Sequence, residues 1–145
     1  MEFAAGDDDV QHPAREREQV PARGLERGLT LLAGGAWFEA HEAFEAEWRE
    51  APPSERDFLQ GLVHVAVAWL QSGRGRRIGC ERQLEKAARR LGPYAPRHRE
   101  VNVSGLLGQV AAALHAVRGG SLALPPVVLD PARPAAPAPP AASDL

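Results

Sequence analysis

Cysteine is almost missing from this chain, which has Cys80 and no other thiol in 145 residues. One thiol cannot close an internal disulfide and has no neighbour at metal-knuckle spacing, so the expected setting is a reducing cytoplasm. Long apolar runs are missing too. None approaches the roughly 20 residues that span a bilayer, so no membrane partner is expected. The first residues, with Asp7, Asp8 and Asp9, lack the basic start and apolar stretch of a signal peptide. Sustained period-two alternation is absent, which argues against sheet and for an all-α fold. With a net charge of -2 there is no general attraction to nucleic acid or anionic lipid. The few serines have no histidine or acid in a motif around them, and Cys80 falls on an apolar helix face, so nucleophilic catalysis is disfavoured.

What is present is a set of amphipathic segments punctuated by glycine and proline. Residues 1–20 are charged and poor in large apolar groups and are expected to be disordered. The helical domain is placed at residues 21–120. Pro21 suits a first helical turn, Leu25, Leu29 and Leu32 share one face, and Gly34-Gly35 ends helix one. Helix two is WFEAHEAFEAEWRE, stopped by Pro52-Pro53. Ser54 is the expected cap of helix three, which runs to Gly73. Helix four extends from about Arg76 to Leu91 with Cys80, Leu84, Ala87, Ala88 and Leu91 on one side. Helix five begins near Val103 and carries the stripe Val103, Leu106, Val110, Leu114 and Val117. The apolar residues of LALPPVVLD predict an extended strap at 121–130. Seven of the 13 prolines lie between Pro125 and Pro140, so residues 131–145 read as a disordered Pro/Ala tail. The expected architecture is a small bundle of about five helices around an antiparallel hairpin of helices two and three.

Helix three is apolar around more than half its circumference, and its remaining arc holds Gln60, Gly61, His64, Ala68 and Gln71. Gly61 costs about 1 kcal/mol against alanine inside a helix, so it marks a close approach by a neighbour. In helix two, a projection at about 100° per residue puts Phe44, Trp37, Trp48, His41, Glu45 and Phe38 on one arc. Glu39, Ala43, Glu47 and Glu50 lie opposite. His41 and Glu45 thus fall inside an aromatic stripe, and buried groups of that kind must be paired, protonated or metal-bound. A polar cluster of His41, Glu42, Glu45, Trp48, Gln60 and His64 between the two helices is the expected functional locus.

Two familiar metal motifs fail on spacing. The zinc protease signature needs histidine where Glu45 stands. Di-iron bundles need Glu-x-x-His, and no glutamate lies three residues before any of the five histidines. A mononuclear site holding a single divalent metal on His41 and Glu45, with Glu42 or His64, remains as one reading. A hydrogen-bonded network that fixes helix packing is the other.

The run LERGLTLLAGGAWFEAHEAFEAEWREAP followed by FLQGLVHVAVAWLQSGRGRRIGCERQLEKAARRL is similar to the family known as domain of unknown function 309. The elements that carry the resemblance are Gly35, Phe38 to Glu42, Glu45, Trp48 and Gln60-Gly61. It implies a small all-helical prokaryotic protein and brings no activity with it.

Charge is segregated. Arg74, Arg76, Arg77, Arg82, Lys86, Arg89, Arg90, Arg97 and Arg99 face only Glu81 and Glu85 within their stretch, whereas Trp37 to Asp57 is acidic. The basic face, chiefly Arg76, Arg82, Lys86, Arg89 and Arg90, can meet a protein partner or a second copy. Nucleic acid is the less favoured partner, because no aromatic interleaves the cations of helix four. A helical binding or scaffold protein is the favoured reading, with a metal-dependent enzyme and nucleic-acid binding as alternatives.

Overall fold

The computed structural model describes residues 24–129. The expectations for residues 1–20, for Pro21 and for residues 131–145 fall outside them. Five helices follow one another: α1 (24–33), α2 (Trp37–Glu50), α3 (Pro53–Gly73), α4 (Arg77–Leu91) and α5 (Val103–Arg118). Between α4 and α5 lie a 3-10 turn, Gly92–Tyr94, and a hairpin of β1 (Arg97–His98) and β2 (Val101–Asn102). The fold is an all-α bundle with one minute sheet.

α3 occupies the centre because its sequence leaves it little choice. Phe58, Leu59, Leu62, Val63, Val65, Ala66, Ala68 and Trp69 are all buried, and a helix apolar on so many sides must be surrounded. α2 runs antiparallel to it. Trp37, at the start of α2, lies against Gly73 at the end of α3, and Trp48 takes the Arg56 guanidinium 4.0 Å above its ring near the start of α3. α4 covers another side. A methyl at Gly61 would sit 2.6 Å from Leu91 Cγ, so the close approach expected there is made by a leucine of α4. α5 then packs on α4, and Arg118 reaches Glu81 at 2.9 Å and Glu85 at 2.7 Å.

The helix ends follow local chemistry. α1, α3 and α5 stop at Gly35, Gly75 and Gly120, whose φ values of 84°, 73° and 98° close paired C-terminal hydrogen bonds such as Ala36 N–H to Leu31 O at 2.9 Å. Asn102 caps α5, its Oδ1 accepting from Gly105 N at 2.9 Å. Ser54 does not cap α3. The helix starts two residues earlier than that cap implies, on Pro53 with Pro52 as the extended N-cap, because proline at the first helical position has a preset φ and no N–H to satisfy.

Sheet was not expected at all, and β1 and β2 are too short to show alternation. They pair antiparallel, Arg97 with Asn102 and His98 with Val101, around Arg99 and Glu100 at φ 51° and 65°. Two successive left-handed residues make the mirror-image turn that suits a two-residue hairpin. The usual Asn-Gly is missing, so each residue costs about 1–2 kcal/mol, and contacts with α3 described below offset that strain.

After α5 the chain runs without helix through residues 121–129. Val127 is buried, while Leu122, Leu124 and Leu129 pack on the core. Three hydrogen bonds pin this strap: Trp69 Nε1–H to Pro125 O at 2.9 Å, and Gln109 to the Val128 carbonyl and amide, both at 2.7 Å.

Candidate functional site

α2 presents a different face to the core than its aromatic stripe implies. Its buried residues are Ala40, Phe44 and Glu47, and Phe38 is 46% exposed. The cause is α1. Gly28 lets the Phe44 ring approach within 2.5 Å of where a methyl would stand, and Gly24 leaves room for the Glu47 carboxylate. α1 therefore covers the side of α2 that carries Ala40 and Glu47, and the opposite edge is left at the surface.

His41 and Glu45 lie on that edge. Their side chains are 23% and 40% exposed and approach to 3.6 Å, and Glu45 also meets Arg49 at 3.7 Å. The expectation that they point inward is thus corrected. His41 is half-buried with an unpartnered Nδ1, and the Phe38 ring lies 5.8 Å from its own. Glu42 is exposed. Gln60 is half-buried and, among the described residues, hydrogen-bonds neither His41 nor His64. Trp48 pairs with Arg56 rather than with a polar cluster.

His64 is buried at 8% exposure and looks towards α4, not α2. Its Nδ1–H donates to Gln83 Oε1 at 2.8 Å, which leaves Nε2 buried and unpartnered. Burial pushes its pKa below 6.5; the Gln83 hydrogen bond opposes this, and the cations Arg90, Lys86 and Arg89 reinforce it. The imidazole is held neutral. The six residues expected to form one cluster are therefore dispersed over two interfaces. Among the described residues no three histidine, cysteine, aspartate or glutamate side chains group as metal ligands. A structural or catalytic zinc takes three or four protein ligands, and His41 with Glu45 supplies two.

Glu47 is the buried carboxylate that the projection placed outside. Burial raises its pKa above 4.5, and Glu50 adds to this while Arg99 opposes it. Arg99 belongs to a group the sequence reading missed. His98 Nε2 lies 2.8 Å from Glu55 Oε1, Arg99 Nη1 lies 3.6 Å from the same oxygen, and Tyr94 donates to Ser54 O at 2.8 Å. The rings of Phe58, Tyr94 and His98 meet pairwise at 4.7–5.4 Å. This group ties the hairpin to the start of α3. The available signal was a tyrosine and a histidine in the Pro-rich GPYAPRHRE stretch, where no helical period hides them.

α4 carries the most one-sided surface. Arg82, Lys86 and Arg89 are exposed along one outward strip that begins at Ile78, itself 59% exposed. Both acids of α4 are drawn away from the strip: Glu81 binds Arg77 at 3.4 Å and Arg118, and Glu85 binds Arg118. Among the described residues no carboxylate pairs with Arg82, Lys86 or Arg89. Two members of the expected basic face stand apart. Arg90 turns towards α3 and binds Asp57 at 2.6 Å, and Arg76 is the exposed N-cap position rather than part of the helix.

A five-helix bundle with the apolar α3 at its centre, a dispersed polar set and a one-signed outer strip define a small all-α helical domain. Residues 25–83, from α1 into α4, match the family model described as Domain of unknown function (DUF309). No curated protein matches the chain. No helix among the described residues is long and apolar enough to cross a membrane.

Proposed function

We propose that the protein is a cytoplasmic helical binding or scaffold module whose working surface is the α4 strip, and that its partner is an acidic protein face. The observation that supports this most is the internal pairing of Glu81 and Glu85 with Arg118, which leaves Arg82, Lys86 and Arg89 as unneutralised outward charge. The chain itself offers the complementary surface. Glu39, Glu42 and Glu50 are exposed on α2 with Phe38 beside them, so a second copy is the first partner to test. Contact between α4 of one copy and α2 of another is heterologous, and such contacts form rings or open chains. Nucleic acid is a poorer fit because the acidic α2 surface and the net charge of -2 oppose a polyanion.

Light scattering across a concentration series tests this. Association is expected at about 50 mM salt and should weaken strongly by about 500 mM, where screening shortens to a few ångströms. Arg82→Glu with Arg89→Glu should abolish it, and Glu39→Arg with Glu42→Arg in a second chain should restore mixed complexes. A monomer at low salt and high concentration would reject self-association. Tight binding of single-stranded RNA or duplex DNA with a steep salt slope would move the strip to nucleic acid.

A further inference from the structure

The strap after α5 is a separable part of the fold. α5 closes its own C-terminus, with Gly119 N–H to His115 O at 3.1 Å, Gly120 N–H to Val117 O at 3.0 Å and Ser121 N–H to Ala116 O at 2.9 Å. No bond of the helix depends on the residues that follow Ser121. Gly119 and Gly120 make a connection without side chains, which can redirect the chain at little steric cost. The three hydrogen bonds that pin the strap all go to its main chain: Trp69 Nε1–H donates to Pro125 O, Gln109 Nε2–H to Val128 O, and Val128 N–H to Gln109 Oε1.

That is the chemistry of peptide recognition, in which main-chain bonds supply the hold and buried side chains supply the selectivity. Within residues 121–129 only Val127 is buried, at 2% exposure. Pro125, Pro126 and Val128 are exposed, so the prolines contribute shape. Each fixes its own φ and pushes the residue before it to extended backbone, which preforms Leu124 to Pro126 and lowers the entropy lost on docking. The place of Val128 requires an N–H and excludes proline, but its side chain is 64% exposed and is not read. An emptied groove would leave Trp69 and the Val127 seat to water. Release of the strap is therefore favoured when another segment of the same chemistry replaces it.

We infer that the groove of Trp69 and Gln109 is a docking site for an extended Pro-Pro-Val-x segment of a partner protein, where x is any residue but proline, and that the strap is its resident occupant, exchanged for that segment. The seated strap is the observation that selects this partner, since it shows a segment of that chemistry making all three bonds and filling the apolar seat. The groove shares no residue with the α4 strip, and failure of one leaves the other standing.

The test uses the full chain and a synthetic peptide of residues 121–130. On the isotope-labelled wild type the peptide competes with a tethered strap, whose effective concentration is about 1 mM. The Val128 amide of the chain should therefore move saturably to an unbound position, with its midpoint near that concentration. In the full chain carrying Val127→Asp the tethered competitor is weakened. Its Trp69 indole ¹H–¹⁵N resonance should be displaced, and the peptide should restore it at about tenfold lower concentration than the wild type needs. A peptide with Val127→Asp should bind neither chain. Val128→Pro in the peptide should weaken binding about tenfold, the worth of one hydrogen bond, whereas Val128→Ser should bind like the parent. The inference is overturned if the wild-type Val128 amide is unmoved at about five times the tether's effective concentration, a measurement that needs no substitution and stands even if Val127→Asp fails to fold. Equal binding of the parent and Val127→Asp peptides would also overturn it. Dimers of the wild type that persist at about 500 mM salt and vanish with Val127→Asp would overturn it by giving the groove to the strap of a second copy.

Discussion

Glu47 and His64 are both buried, and their environments push them in opposite directions. Glu47 has a folded pKa raised above 4.5, so it favours the folded state below that value, and the contribution is lost as pH rises through the raised one. His64 has a folded pKa lowered from 6.5, so its contribution is complete above 6.5 and is lost as pH falls through the lowered value. Between these limits the two effects oppose each other and flatten the pH dependence of stability. Single variants should expose the slopes. Relative to the wild type, Glu47→Gln is expected to be more stable at neutral pH than in acid, because it removes a buried group that must ionise as pH rises. His64→Gln is expected to lose the fall in stability below pH 6.5. Urea melts from pH 4 to 8 give both profiles, and an unchanged profile for Glu47→Gln would mean that its carboxylate is hydrated in the folded state.

Contact between elements depends on a few small residues more than on the large ones. Gly61 brings α4 close to α3, with Leu91 seated where a side chain would otherwise stand. Alanine there gains about 1 kcal/mol of helix propensity but overpacks the interface, a cost of about 1–3 kcal/mol. Gly61→Ala should therefore destabilise the domain. Adding Leu91→Val should recover part of the loss, so that a double-mutant cycle by urea melts shows coupling. A neutral or stabilising Gly61→Ala would show that α4 shifts freely on α3. Gly28 does the same for α1 and α2, and its consequence is larger. By seating Phe44 it turns α2 so that Glu47, rather than His41, enters the interior.

At the scale of the molecule, α3 is enclosed by α2, α4 and the strap, while the hairpin and strap are held by few bonds and expose much of their backbone. Stability should be graded accordingly. In native-state hydrogen exchange, the amides of Leu62 to Trp69 should open only with global unfolding and shift with denaturant at the full slope. The Val128 amide, held by Gln109 Oε1 alone, should open locally with little denaturant dependence. If α3 exchanges as fast as the strap, α3 is not the cooperative centre. The charge pattern belongs to this scale as well: Arg118 of α5 neutralises the acids of α4, so the cationic strip is a property of two helices packed together and not of α4 alone.

The number of helices, their order and most of their apolar faces were determined by sequence, because glycine, proline and the 3.6-residue period act locally. Cys80, Leu84, Ala87 and Leu91 show it on α4, as do Val103, Leu106, Val110 and Val117 on α5. The stretch that matches the family model was legible too, since Phe38 to Glu42, Glu45 and Trp48 form a linear pattern. The inward face of α2 was not. Tryptophan and phenylalanine can sit at a boundary, so an aromatic stripe gives the centre of a buried arc only to within the width of a neighbouring helix, and that neighbour was α1. Which side chains meet was decided by tertiary structure alone. His64 finds Gln83 on α4, His98 and Arg99 find Glu55 through a turn too short to have a period, and Trp37 meets a strap more than eighty residues further along the chain. Such pairings depend on how whole helices rotate to bury their largest apolar surfaces, and no local stretch of chain contains that information.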